Sequence, residues 1–467
     1  MKNINNVKLN NDDMRINKGF DKDGNWIGSS NIQAAFLILT ENCNLRCRYC
    51  YEREGNYCKN NMSNEIAFKS IDFIADGYIK NGRKELPNIT FFGGEPLLCP
   101  ELIEDIVDYC EERYPDIKFI FSIITNGTIY NEKVEHALER LYHYNPKRPF
   151  SIQLSIDGIP EVQDKNRPTA GGTASSELIE KNIPKFKDFL ARHQMNPGLI
   201  HVHACISHET LPLMYESYKY IRKDLDIKLE FAWVMESEWT KEDEDILEEQ
   251  LNHITVDLGN DPELLDMKCF PIKNFHICSG CSMGKTFCTI TPNGDIFPCH
   301  RFFFYSKANK EKAKDIIIGN LNNIPILDEE NRDEFFNFYP NKVSDKPCQV
   351  CAACNYEYTG DIYKMPNDSQ IRFMPIINKY KDMYIEICRK KGNIKNCNNN
   401  SSNDNCNGNN CSCNNHKGSK ENNDDIINAI GTMSEILNNL NERISLIEDK
   451  LEKIDKIIKI GEIIYNE

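Results

Sequence analysis

The sequence predicts an α/β fold: a partial (β/α)6 barrel, then a small cysteine-rich domain, then a coiled-coil-like C-terminal helix. Three observations carry that reading. Six short apolar runs alternate with longer amphipathic stretches between residues 35 and 234. Cysteines crowd the stretch that follows, and an unbroken apolar repeat closes the chain. Strands alternating with helices at this spacing imply a parallel sheet. Six strands fall short of a closed eight-fold barrel, so the barrel is partial, with its chemistry expected at the C-terminal strand ends.

The elements follow in order. Residues 1–34 are a polar lead-in with one hairpin expected near Trp26. The barrel occupies 35–235, with strands expected over 35–39, 89–92, 119–124, 150–156, 199–206 and 229–234. Helices are expected over 63–81, 100–114, 131–143, 175–192 and 211–224. Residues 236–277 are acidic and read as a helical bridge. The cysteine-rich domain spans 278–390, and its stretch 288–299 reads as a hairpin turning at Asn293-Gly294. Residues 391–423 read as a linker. Within 396–423 there are 13 Asn in 28 positions and no apolar residue except Cys, a composition that cannot bury a core and is expected to be disordered. In 424–467, Ile430, Met433, Leu437, Leu440, Ile444, Ile447, Leu451, Ile454 and Ile458 step by three and four. That is a heptad seam, expected to pair two copies as a homodimer. A helix docked on the body or on a substrate leader would hide the same stripe.

Charge and targeting exclude several classes. The 467 residues carry 56 Lys and Arg against 71 Asp and Glu, a formal net charge of −15. Such a chain is a poor ligand for a nucleic-acid backbone. No apolar run reaches the ~18 residues of a membrane span, and the N-terminus lacks the apolar core of a secretory signal. A cytoplasmic location follows as the expectation. Twenty cysteines in a reducing compartment indicate metal or iron–sulfur ligation before disulfides.

The first strand runs into Cys43-x3-Cys47-x2-Cys50, with Tyr49 before the third cysteine. A closed zinc site would need a fourth ligand, a place Cys58 could fill. Three thiolates on one loop suit a [4Fe–4S] cluster with one iron open to a ligand. Further pieces end the next strands: Gly93-Gly94-Glu95-Pro96, then Thr125-Asn126-Gly127, then Ser155-Ile156-Asp157-Gly158, followed by Asp164 and Arg167. Each alone reads as a turn or a cap. Together, at successive strand ends, they resemble the radical S-adenosylmethionine (SAM) superfamily. The resemblance implies a radical cluster on Cys43, Cys47 and Cys50. It also implies S-adenosylmethionine held by Tyr49, Gly93, Gly94, Glu95, Pro96, Thr125, Asn126, Ser155, Asp157 and Arg167. Glycines would let the backbone approach the cofactor, and Glu95 would face its ammonium.

Downstream, Cys278, Cys281, Cys288 and Cys299 precede Cys348-x2-Cys351-x2-Cys354 and Cys388. This resembles a SPASM module, which implies two auxiliary [4Fe–4S] clusters. One would take Cys281, Cys288 and Cys299; the other Cys348, Cys351 and Cys388, with Cys354 in reserve. The even packing of 348, 351 and 354 departs from the commoner spacing and leaves these sets open, with zinc a rival for that segment. Cys99, Cys110 and Cys205 read as small buried hydrophobes.

The resemblance spans about residues 35–390 and implies an enzyme that matures a cysteine-rich precursor peptide by thioether crosslinks. It implies an electron donor such as ferredoxin or flavodoxin. Carbon–carbon crosslinking, epimerisation and formylglycine formation are alternative outcomes. Sulfatase-maturating relatives carry an Asp base near the cysteine matching Cys299; here His300 and Arg301 follow it, making His300 the candidate base. Only 42 residues precede Cys43, too few for the N-terminal peptide-binding domain of many relatives. The non-enzyme alternative is a metal store or electron carrier. It leaves the strand-end pieces unexplained.

Overall fold

The structure, a computed structural model, describes residues 32–50, 60–82, 86–234, 237–264, 270–272, 282–336, 351–364 and 369–391. Residues 1–31 of the lead-in, Cys58, Cys278, Cys281, Cys348, residues 392–423 of the linker and the heptad segment lie outside the described residues.

All six expected barrel strands form: β1 Ala34–Thr40, β2 Asn88–Gly93, β3 Ile120–Thr125, β4 Ser151–Leu154, β5 Ile200–Ile206 and β6 Lys228–Trp233. They pair in parallel with their neighbours in sequence order. Between them run α1 Asn64–Lys80, α2 Pro100–Arg113, α3 Glu132–Tyr144, α4 Pro160–Asn166 and α5 Ser176–Arg192. Caps fix two starts: Ser63 accepts from the Ile66 N–H, and Asn131 accepts from the Val134 N–H. The helix α4 was not expected, being too short to show a period. The expected helix 211–224 is instead three pieces: a 3-10 turn Leu211–Leu213 carrying Pro212, α6 Met214–Lys219, and a π turn Tyr220–Asp224.

Strand parity decides what faces the site. Phe121 stacks on Phe91 and meets Tyr144 of α3 edge-on at 5.3 Å, and Phe150 meets Phe189 of α5 at 6.1 Å. That parity packs against the helices and is fully buried. The opposite parity lines the barrel interior. It carries Phe36 and Phe92 on β1 and β2, and polar Ser122, Ser151, Gln153, His201, His203 and Cys205 on β3 to β5, all partly exposed.

Beyond the barrel, α7 Glu242–Asn260 lies within the stretch 236–277. The expected hairpin forms as β7 Phe287–Ile290 and β8 Asp295–Phe297, antiparallel and turning through Gly294 at φ +83°. Its first strand also pairs in parallel with β1, so the barrel sheet runs on through β7, β8 and β9 Gly319–Asn320 as one nine-stranded sheet. Then come α8 His300–Ala308, α9 Ala313–Ile316, α10 Glu329–Phe336, α11 Ala352–Thr359 and α12 Ser369–Lys390. The last packs along α7, where Arg372 pairs with Glu244 and Lys379 with Glu248. Among the described residues no helix is long and apolar enough to cross a membrane.

Candidate active site

The loop carrying Cys43, Cys47 and Cys50 leaves the C-terminal end of β1. It is laced to the chain after α4 by backbone bonds: Arg46 N–H to Pro168 O (2.7 Å), Arg48 N–H to Asn166 O (2.8 Å) and Ala170 N–H to Asn44 O (2.8 Å). On the β3 side, Asn126 donates to Asn44 Oδ1 at 2.9 Å and approaches Cys43 Sγ at 3.9 Å, and Asn44 donates to Thr128 at 2.7 Å. The three cysteines are half-buried beneath this lacing.

Gly93 and Gly94 are required here by close approach. A Cβ on Gly93, at φ +135°, would stand 2.3 Å from the Thr40 carbonyl oxygen; one on Gly94 would stand 2.1 Å from that of Asn42. The backbone so admitted is the chain's own: Gly94 N–H donates to Thr40 O and Glu95 N–H to Asn42 O, both at 2.8 Å. The Glu95 carboxylate, fully buried, accepts from Leu97 N–H (3.0 Å), the Thr125 hydroxyl (2.7 Å) and Asn126 N–H (2.8 Å). It thereby ties the ends of β2 and β3 together. Burial raises it to about 7 against those three donors.

A second knot joins the ends of β4 and β5. Buried Asp157 accepts from Tyr49, from Asn166 (3.1 Å), from Arg167 (3.0 Å) and from the Cys205 N–H (3.0 Å). The Arg167 guanidinium lies 5.2 Å from the Tyr49 ring centre and 3.7 Å from Cys205 Sγ. Among the described residues its Nε is buried without a hydrogen-bond partner. Asp164 holds the start of α5 through the Ser175 and Ser176 N–H groups, each at 2.8 Å. Ser155 donates its N–H to Thr125 O at 2.9 Å.

Cys205 thus corrects the expectation of a small buried hydrophobe: it is half-buried and joined to the Tyr49–Asp157–Arg167 knot. Burial pushes its thiol up to about 12. The signal was present in the sequence. Residues 201–205 read His-Val-His-Ala-Cys, with a polar or reactive side chain at alternate positions of a parallel strand that ordinarily reads apolar throughout.

In the second cysteine group, Cys288 is buried on β7 and Cys299 sits at the N-cap of α8. Cys351 is exposed at the N-cap of α11, Cys354 is buried within it, and Cys388 is buried in the last turn of α12. His300 stacks on Phe36 (5.2 Å between ring centres) and meets Phe92 edge-on (5.4 Å). Burial, then Arg301, lowers it to about 4, so the ring is neutral and a weaker proton acceptor than a free imidazole.

The donor chemistry fits an iron–sulfur cluster. Burial pushes the Cys43 thiol up, with the Glu95 charge adding to it; burial likewise raises Cys47, against the pull of Arg167. Such thiols ionise readily only beside a bound cation, which reverses the local preference. A cubane cluster takes one thiolate at each of several separate corners.

Comparison with known proteins agrees. Residues 37–201 match the radical SAM superfamily, and residues 281–355 match SPASM, an iron–sulfur cluster-binding domain. An uncharacterized protein of Methanocaldococcus jannaschii is 33% identical over 187 residues, 40% of this chain and 57% of that protein. The radical SAM cyclopropyl synthase TigE of Paramaledivibacter caminithermalis is 34% identical over 120 residues, 23% of this chain and 25% of that one. The matches therefore span under two thirds of either relative. The solved structure of anSMEcpe with bound AdoMet and Cp18Cys peptide superposes with a TM-score of 0.56 at 17% identity, covering 76% of this chain and 99% of that one. It shares the fold. The chain thus carries a radical SAM domain followed by a SPASM domain.

Proposed function

We propose that this chain, with its radical SAM domain and SPASM module, is a cytoplasmic peptide maturase that forms thioether crosslinks in a cysteine-rich precursor peptide. One observation carries the reading: the Cys43–Cys47–Cys50 loop roofs the strand ends, held there by the Glu95 and Asp157 knots. With a cluster on those thiolates and S-adenosylmethionine bound, the site would supply a 5′-deoxyadenosyl radical able to take hydrogen from an unactivated C–H bond.

The chain's own residues do the rest. Gly93 and Gly94 keep the loop close, and Asn126 and Arg167 present donors at its two sides. The interior offers an aromatic wall at Phe36, Phe92 and His300, and a polar wall at Gln153, His201 and His203. A peptide seated between them would be oriented and partly shielded from water. The second cysteine group would hold auxiliary clusters, which would supply a sink for the electron released on C–S bond formation, and a ferredoxin or flavodoxin would supply the first electron.

A second reading, carbon–carbon bond formation within the peptide, draws on the similarity to a cyclopropyl synthase. The test is anaerobic reconstitution with iron and sulfide, then dithionite and S-adenosylmethionine. Release of 5′-deoxyadenosine is expected; its absence from fully loaded protein would leave the metal-store reading. Co-expression with a neighbouring cysteine-rich peptide separates the chemistries. A thioether blocks alkylation of one cysteine per two hydrogens lost, and a carbon–carbon link leaves every cysteine alkylatable.

A further inference from the structure

Helix α8 is docked at both ends. Its N-cap is Cys299, and its first residue His300 rests on Phe36 and Phe92 of the barrel. Phe304, one turn on, meets Phe92 edge-on at 6.2 Å. Arg301 pairs with Glu357 of α11 at 2.8 Å, the helix that carries Cys354. In the last turn, Lys307 Nζ lies 3.2 Å from Glu41 Oε1. Glu41 is two residues before Cys43, and the residues on either side of it, Thr40 and Asn42, receive the N–H groups of Gly94 and Glu95.

The pair is shielded from solvent, with side-chain exposures of 5% for Glu41 and 17% for Lys307. Among the described residues, the other carboxylate oxygen of Glu41 is buried without a hydrogen-bond partner. A buried carboxylate missing one of its donors depends on its counter-ion. That counter-ion comes from the module after the barrel.

We infer that Lys307 is a positioning residue for the radical loop: by neutralising Glu41 it fixes the segment that delivers Cys43. The radical site is then complete only when α8 is seated, and α8 is held from both ends, by His300 on Phe36 and Phe92 and by Lys307 on Glu41. This rests on the proposed function only in taking Cys43, Cys47 and Cys50 as cluster ligands.

The test compares fully reconstituted wild type, Lys307→Met, Lys307→Arg and the double variant Glu41→Gln/Lys307→Met. The first readout is the rate at which a ferrous chelator strips iron in the phase that a Cys43/Cys47/Cys50→Ala variant lacks. The second is the change in the reduced cluster's electron paramagnetic resonance spectrum when S-adenosylmethionine is added. Lys307→Met should strip roughly tenfold faster or more and lose the spectral change. Lys307→Arg keeps the charge and should match wild type. The double variant removes both charges and should recover to within about threefold. Stripping and spectrum unchanged in Lys307→Met would overturn the inference, as would a double variant as impaired as the single. Should Lys307→Met not fold, the double variant and Lys307→Arg still decide. A wild type with no spectral response to S-adenosylmethionine refutes the proposed function instead, and the pair is then judged on stripping rate alone.

Discussion

Gly94→Ala gives the most direct handle on how the loop is held. The new methyl would stand 2.1 Å from the Asn42 carbonyl oxygen, where ordinary contact begins at 3.4 Å, so backbone must yield by about 1.3 Å. What yields is the segment between Thr40 and Cys43, because Gly94 directly follows β2. Two backbone bonds are then stretched, Gly94 N–H to Thr40 O and Glu95 N–H to Asn42 O. At about 1 kcal/mol each, their loss costs about 2 kcal/mol of stability. A shift of this size at a reacting centre costs about a hundredfold in rate. The matched control is Gly172→Ala. That glycine sits at φ +78° with nothing within 4 Å of an added Cβ, so the substitution costs a comparable ~1–2 kcal/mol through backbone strain alone. Urea unfolding should show both variants weakened. Only Gly94→Ala should also lose 5′-deoxyadenosine formation. Equal activity in the two variants would refute the assignment of Gly94 to loop placement.

Further outcomes follow from the same geometry. Joint replacement of Cys43, Cys47 and Cys50 by Ala should abolish 5′-deoxyadenosine formation and leave about eight of about twelve irons per chain, by analysis of reconstituted protein; retained cleavage would move the radical cluster elsewhere. Burial raises Glu95 from 4.5 to about 7, so the folded chain keeps a proton that the unfolded chain releases. The associated stability is full below about pH 4.5 and falls as pH rises to about 7, by on the order of 3 kcal/mol. Urea midpoints of Glu95→Gln should lack that slope, and an identical slope would place the titration on another group. Replacing Leu437, Ile444 and Leu451 by Asp should give monomers in light scattering where wild type is dimeric; a monomeric wild type would remove the pairing role of the seam.

The barrel was legible because each strand carries its own apolar run bounded by Gly, Asn or Ser, and each long helix repeats often enough to show a period. The seven residues of α4 span too few turns for that, and Pro212 divides what periodicity joined. The strand-end pieces were legible as a set, yet their local roles were not. Glu95 offers no sequence sign that three donors surround it, and nothing near Glu41 announces a lysine 266 positions later in the chain. Cys205 was misread because one cysteine is as easily packing as chemistry; the alternation with His201 and His203 was the clue. Pairing between β1 and β7 joins segments some 250 residues apart, and local pattern carries no trace of it.

That pairing gives the hairpin a second meaning. In six strands alone, β1 would be an edge, with the backbone groups of its free side presented to any passing strand. Here Gln33 and Ala34 donate to Thr286 O, and β7 continues the ladder to Ile290. The downstream segment is therefore an edge guard for the barrel. A chain cut before residue 282 would expose an apolar strand, Ala-Ala-Phe-Leu-Ile-Leu-Thr, along its open side. Such a fragment should assemble into sheet-rich aggregates whatever its cysteines hold.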